Sequence, residues 1–341
     1  MKILLIGGTG IISKAVSERL LAQGHDLYLY CRGHHVPDSL SGAHIQRGDI
    51  NDEDGVRRFL DAHRFDVVVD FVVMTPEQAR RDIRLFAGKT GQYIFISSAS
   101  VYQRPAKSYL ITENTPLDNP FWAYSRDKIT CERLFMEAYT MQGFPVTIVR
   151  PSLTYGDTIV PYVMASWNKP YSIIARLKAD KRIIVPGDGT SLWVVTHNSD
   201  FAAGFVGLLG AEKAIGEAFH ITSDEVLTWD DILNQMAEVV GVQPRAAHIS
   251  SEFITAFMPD QLGSLFGDKI TSVVFDNGKL RRVVPDYQAV VPFREGFART
   301  VAYLESHPAL RTIDAEFEAR MDRVIEAHDE GMRLAATRPI V

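Results

Sequence analysis

Two side chains four residues apart, Tyr124 and Lys128 in the run FWAYSRDK, have the types and the spacing to move a proton. On a helix, positions i and i+4 share a face, so the phenol and the ammonium approach each other. A phenol with its ordinary pKa of about 10 is a poor base at neutral pH, but a neighbouring cation stabilises the phenolate and lowers that value. Such a tyrosine can take the proton of a hydroxyl group. Pairs like this are also common on solvated helix faces, so a second observation has to decide between the two readings. It lies upstream: in YIFISSASVYQ an apolar run ends at Ser97 and Ser98. Hydroxyls there sit at the C-terminal edge of a sheet, where open α/β folds bind their ligands. Ser98 is then placed to hydrogen-bond a reacting oxygen while Tyr124 takes its proton.

These residues need a scaffold, and the first half of the chain supplies a regular one. The runs KILLIG, DLYLYC, HIQRGD, DVVVDFV, QYIFIS and PVTIVR read as strands, most of them separated by helical patterns. Strands that are apolar on both faces imply a parallel sheet covered on both sides, a Rossmann-type doubly wound α/β fold over residues 1–155. Gly24 is the expected stop of the first helix and Asn51 the expected cap of the helix in NDEDGVRRFL. After RPSLTYGD the rhythm loosens into turns such as VPGDGTS, the helix TWDDILNQMAEVVG and short strands AFHIT and SVVFD. A smaller α/β substrate domain is predicted over 156–341, interleaved with the first and ending in a C-terminal helix. In that helix Ile313, Phe317, Met321, Val324, Ile325 and His328 fall near one face, which predicts packing on its own domain.

Directly after the first strand stands GGTGIIS. Gly7 permits a tight turn, Gly10 lets the backbone approach a pyrophosphate, and the helix from Ile11 offers unpaired N–H groups to the anion. Strand, glycine turn and helix in this order are the context of a dinucleotide site. The positive ring of a bound nicotinamide would add to the pull of Lys128 on the Tyr124 phenol. At the end of the second strand, YLYCRGHH has no acid for the adenosine ribose. The fork of Arg32 suits a 2′-phosphate, which favours NADP over NAD; the other reading has Arg32 stacking on adenine. Asp49 in RGDIND either accepts from the adenine amine or caps the loop that follows it.

The bulk properties exclude several other functions. The 341 residues are 46% hydrophobic and 23% charged, enough apolar surface for one large or two modest cores. A formal net charge of −6 argues against electrostatic attraction to nucleic acid or anionic membrane and for a small-molecule substrate. No run approaches the roughly 20 apolar residues of a membrane span, and the start lacks a signal-peptide pattern, so a cytoplasmic protein is expected. The two cysteines, Cys31 and Cys131, have no metal-type spacing, and no metal is expected. His34 and His35 read as a solvated loop, and the pairs Arg57/Arg58 and Arg80/Arg81 as solvated helix faces. His197 in VTHNSD is either a core histidine or a proton donor.

The segments GGTG, GDIND, FISSASVY, TENTPLDNPFWAYSRDK, IVRPSLTYG, PGDGTSLWVVTHNSDFA and FHIT occur in an order that resembles the extended short-chain dehydrogenase/reductase superfamily. Within it, the chain is similar to the NAD(P)-dependent epimerases and dehydratases over about residues 1–305. The resemblance implies Ser98, Tyr124 and Lys128 as catalytic residues, with Lys128 also holding the nicotinamide ribose. Gly7, Gly10, Ile11 and Ile12 would line the pyrophosphate, with Arg32, Asp49, Ile50, Phe71 and Pro151 along the rest of the cofactor. It also implies a secondary hydroxyl of a sugar or sugar-like molecule as substrate, oxidised through a keto intermediate, and a homodimer through the Tyr124 helix. The alternatives are a plain NADP-dependent reductase or dehydrogenase, or a non-enzymatic RNA-binding relative. The chain departs from the family pattern in three places. Ser13 replaces a third glycine, Trp193 stands where nucleotide-sugar members place an arginine, and Phe71, Val72 and Val73 make a bulkier wall where small residues usually face the cofactor.

Overall fold

The computed structural model describes residues 1–33 and 36–337; His34 and His35 lie outside them. Seven strands form a central parallel sheet: β1 (Lys2–Ile6), β2 (Asp26–Cys31), β3 (His44–Arg47), β4 (Phe65–Asp70), β5 (Thr90–Ile96), Val146–Pro151 and Ala218–Ile221. Across the sheet the order runs Ala218–Ile221, Val146–Pro151, β5, β4, β1, β2, β3. Every adjacent pair is parallel. Connections reverse direction between β1 and β4, so a crevice opens above the C-terminal ends of those two strands.

Both faces are covered, which is why the strands are apolar throughout. On one face Ile3, Leu5, Val67 and Val69 pack against Val16 and Leu20 of α1 (Ile11–Ala22) and against Phe201 and Phe205 of the helix Asn198–Val206. On the other, Leu4, Ile6 and Val68 meet α2 (Glu53–Ala62), α3 (Pro76–Phe86) and α4 (Ala123–Gln142). A second core gathers around Ile173, Ile184, Trp193 and Trp229. It is framed by the parallel pairs Arg182–Pro186 with Arg245–Ile249 and Leu153–Tyr155 with Val195–His197. From this region the strand Ala218–Ile221 returns to the central sheet beside Val146–Pro151.

Gly24 ends α1 with φ +74° and its N–H on the Leu21 carbonyl, as expected. The cap of α2 differs from the expectation. Asp52, not Asn51, accepts the Gly55 N–H, at 3.1 Å, because Asn51 is turned inward to accept from Arg81 Nη1 at 2.7 Å. Arg81 is likewise buried and not on a solvated face, since α3 lies against α4 and turns this position toward buried carboxylates; Arg57, Arg58 and Arg80 are exposed. The last helix spans Ala315–Ala336 and buries Phe317, Met321, Val324 and Ile325 against its own domain, while Ile313 lies before it and is exposed. Among the described residues no helix is long and apolar enough to cross a membrane.

Candidate active site

Helix α4 begins after Trp122, so Tyr124 and Lys128 fall on one face of its first turns. Lys128 Nζ lies 5.7 Å from the centroid of the Tyr124 ring. The ammonium is buried and donates to the Val73 carbonyl at 2.6 Å, just beyond β4, and to the Ile96 carbonyl at 2.8 Å, at the end of β5. Burial brings its pKa down to about 8. Ser98 follows β5 and caps the turn Ala99–Val101, accepting the Ser100 N–H at 3.2 Å. Its hydroxyl sits 2.9 Å from Ser100 Oγ, which accepts from Ser125 Oγ at 2.7 Å, so a ladder of three hydroxyls sets its position. Ser98, Tyr124 and Pro151 line one cavity of about 220 Å3.

The Tyr124 phenol does not follow the expected lowering. Burial pushes its pKa up, the neighbouring Ser98 hydroxyl opposes that, and the charge of Asp268 adds to the rise. Lys128 donates to two backbone carbonyls and not to the phenol.

The glycine turn borders a cleft of about 480 Å3 that is also lined by Arg32, Asp49 and Ile50. Gly7 has φ +77°, and a Cβ there would lie 2.6 Å from Val72 Cγ1, so glycine is required twice over. Ser13 closes the turn with its side chain: Oγ donates to the Gly7 carbonyl at 2.7 Å and accepts the Gly10 N–H at 2.8 Å. Ser17 adds a bond to the Gly8 carbonyl at 2.9 Å. Gly10, Ile11 and Ile12 form the start of α1, whose first N–H groups and dipole favour an anion. Asp49 accepts from the Asn51 N–H at 2.9 Å and its side-chain amide at 3.0 Å, the capping geometry. Arg32 is exposed at the rim.

Of the expected bulky wall, only Val72 lines the cleft. Phe71 turns to the opposite face and packs on Phe205 with centroids 6.0 Å apart, and Val73 is fully buried. The crowded Gly7, the cleft and the α1 N-terminus together fit a dinucleotide.

A buried polar group beneath that cleft escaped the sequence. Asp70, the last residue of β4, accepts the Val72 N–H at 2.5 Å. Its neighbour Asp82 accepts from Arg81 Nε at 2.7 Å and from Tyr93 Oη at 2.5 Å. Burial, then the Asp82 charge, push the Asp70 carboxyl well above the usual carboxylate range. The residue pairs here come from three elements, so no local spacing announces them.

Two other candidates resolve as structural. His197 caps the helix Asn198–Val206 by accepting the Ser199 N–H, stands edge-on to Tyr155, and has its pKa lowered by burial. Trp193 is buried and stacks on Trp229 at 5.8 Å. Among the described residues no group of three or more metal-ligating side chains converges.

Residues 3–222 match the NAD dependent epimerase/dehydratase family. The chain belongs to that family. Its fold is that of solved epimerases and dehydratases. The chloroplast stem-loop binding protein of 41 kDa b from Arabidopsis thaliana is 30% identical over 263 residues, 72% of this chain and 65% of that protein's length. The chain therefore spans just under two thirds of that relative. The 2′-dehydrokanamycin reductase of Streptomyces kanamyceticus is 23% identical over 84% of this chain and 80% of its own. Among epimerase/dehydratase structures, the UDP-glucuronic acid 4-epimerase of Bacillus cereus, solved with UDP-glucuronic acid and NAD, superposes with a TM-score of 0.71. It is 21% identical, with 90% of this chain and 99% of that one covered, a likeness of fold.

Proposed function

We propose that this chain is an NAD(P)-dependent oxidoreductase or epimerase that acts on a secondary hydroxyl of a sugar or sugar-like small molecule through a keto intermediate. The observation that carries the reading is the meeting of Ser98 and Tyr124 in one cavity with the Lys128 ammonium 5.7 Å behind the phenol ring. Tyr124 Oη takes the hydroxyl proton while Ser98 Oγ donates a hydrogen bond to the same oxygen. Lys128 has three donors and two are held by carbonyls, which leaves one for a ribose hydroxyl of the cofactor. A bound nicotinamide supplies the acceptor for the hydride that leaves the carbinol carbon, and a positive ring that opposes the upward shift of the phenol. Gly7, Gly10, Ile11, Ile12, Arg32, Asp49, Ile50, the Phe71 backbone and Pro151 would hold the dinucleotide. The guanidinium of Arg32 favours NADP. We further propose a substrate domain over 156–341, a cytoplasmic location and a homodimer through α4.

The test is Tyr124→Phe. It is expected to lower kcat by about 100-fold to 10,000-fold while cofactor affinity persists. Unchanged turnover overturns the reading. Epimerase and plain reductase separate by stoichiometry: turnover on tightly held cofactor marks the first, net oxidation or reduction of added cofactor the second. Binding of an RNA stem-loop by a chain with no Tyr124-dependent activity would point to the non-enzymatic alternative.

A further inference from the structure

The cavity beside Ser98 and Tyr124 has a distinctive far wall. The segment Leu262–Lys269 ends in a π-helical turn, Leu265–Lys269, a distortion that recurs at functional sites. It carries Asp268 and Lys269 to the cavity. Glycines make this approach possible: a Cβ on Gly263 would lie 2.4 Å from Trp122 Cδ1, and one on Gly267 would lie 2.9 Å from Trp122 Cβ. Asn119 fixes the same contact from below, donating to the Ser100 carbonyl and to the Gly267 carbonyl, each at 2.7 Å. The wall is therefore held in register with the Ser98 loop.

Its chemistry is mixed. Trp122 and Trp167 give two indoles, the second 57% exposed at the cavity mouth. Asp268 and Lys269 form an ion pair at 3.1 Å, and Lys269 Nζ stands 5.7 Å from the Trp122 centroid. Behind them Arg104, fully buried, approaches Asp268 at 3.6 Å and compensates its charge without reaching the cavity. A carboxylate accepts at up to four positions and an ammonium donates three bonds, so the pair retains capacity for a ligand. Among the described residues the one cation lining the cavity is Lys269, which is largely buried and engaged by Asp268 and by Ser264 Oγ at 3.3 Å. The volume, about 220 Å3, is less than half that of the dinucleotide cleft and below the ~300–1,000 Å3 of sites for drug-sized ligands.

We infer that this cavity takes a single unactivated saccharide ring, with its apolar face on Trp167 and two adjacent hydroxyls on Asp268 and Lys269, and with no nucleoside diphosphate attached. The inference rests on the sugar-alcohol reading above. The C–H groups of one ring face match the negative face of an indole, and adjacent hydroxyls match an acceptor beside a donor. A diphosphate would bring two negative charges against Asp268, and its nucleoside would exceed the space.

The experiment compares methyl glycosides of common hexoses with UDP- and dTDP-linked forms of the same sugars, using the full chain with NAD and NADP. Turnover of the methyl glycosides is expected. Trp167→Ala should raise their KM about fivefold to tenfold, more than it lowers kcat. Asp268→Asn should raise KM and also move the Tyr124-dependent limb of the pH profile to lower pH, because the carboxylate charge that raises the phenol is gone. Binding is read separately in Tyr124→Phe by the shift of tryptophan emission on adding methyl glycoside, a signal that should shrink when Trp167→Phe is added, leaving only the contribution of Trp122. Turnover confined to nucleotide-linked sugars, with Trp167→Ala silent, overturns the inference and leaves the proposed function standing. If neither class turns over or binds, the proposed function falls with it.

Discussion

Asp70 and Lys128 are joined through two consecutive loop residues: the Asp70 carboxyl accepts the Val72 N–H at 2.5 Å, and Lys128 Nζ donates to the Val73 carbonyl at 2.6 Å. The lysine expected to hold the cofactor is thus itself held by a loop that a buried carboxyl shapes. Asp82 and Arg81 of α3 and Tyr93 of β5 face that carboxyl, and the Lys128 ammonium acts on it from α4.

This link gives a stability prediction. The folded chain binds the Asp70 proton more tightly than the unfolded chain, which releases it near about pH 4, so stability falls as pH rises from there until the folded carboxyl also titrates. Asp70→Asn copies the protonated shape and removes the proton. Its denaturation midpoint should fall less than that of the wild type as pH rises above about 4. Parallel pH curves for the two proteins would sink the idea, and Asp70→Ala, which leaves the Val72 N–H unpaired, should lose activity that Asp70→Asn retains.

The proposed role of Lys128 predicts an alkaline limit on activity. With its pKa brought down to about 8, the ammonium is present below that value and lost above it. The pH profile of kcat/KM should therefore turn down near pH 8. Lys128→Met should lose about 100-fold in kcat/KM or more, and a flat wild-type profile through that range would count against the role.

Ser13 should carry measurable stability. Its hydroxyl makes two buried bonds within the glycine turn, so Ser13→Ala is expected to cost roughly 1–3 kcal/mol in chemical denaturation. The same variant should weaken cofactor binding, read by calorimetry. A neutral substitution would show that the turn holds its shape without the tie.

The proposed preference for NADP rests on Arg32. Arg32→Ala should raise the KM for NADP about tenfold or more while that for NAD changes little. Equal changes for both cofactors would favour stacking on adenine instead.

The sequence reading worked where the information was local. Tyr124 and Lys128 share a helix, Ser98 follows an apolar strand, and Gly7 stands in a strand-turn-helix frame, so local pattern was enough to place each on its element. It failed where partners come from separate elements. Arg81 looked like half of a solvated doublet with Arg80, yet burial against Asp70 and Asp82 from β4 and α3 decides its position. Asn51 yielded its expected capping role to Asp52 because Arg81 draws it inward. The Asp268–Lys269 pair reaches the cavity only through a π-helical turn that no periodicity signals.

The return of Ala218–Ile221 to the central sheet bears on how the protein can be divided. All six residues of Val146–Pro151 are buried, and this late strand covers their outer side. A fragment ending at residue 155 would present that apolar strand as a bare edge, open to pairing with other chains. The dinucleotide half is thus completed by residues translated more than sixty positions later, and the chain is best cut nowhere near its motif boundary.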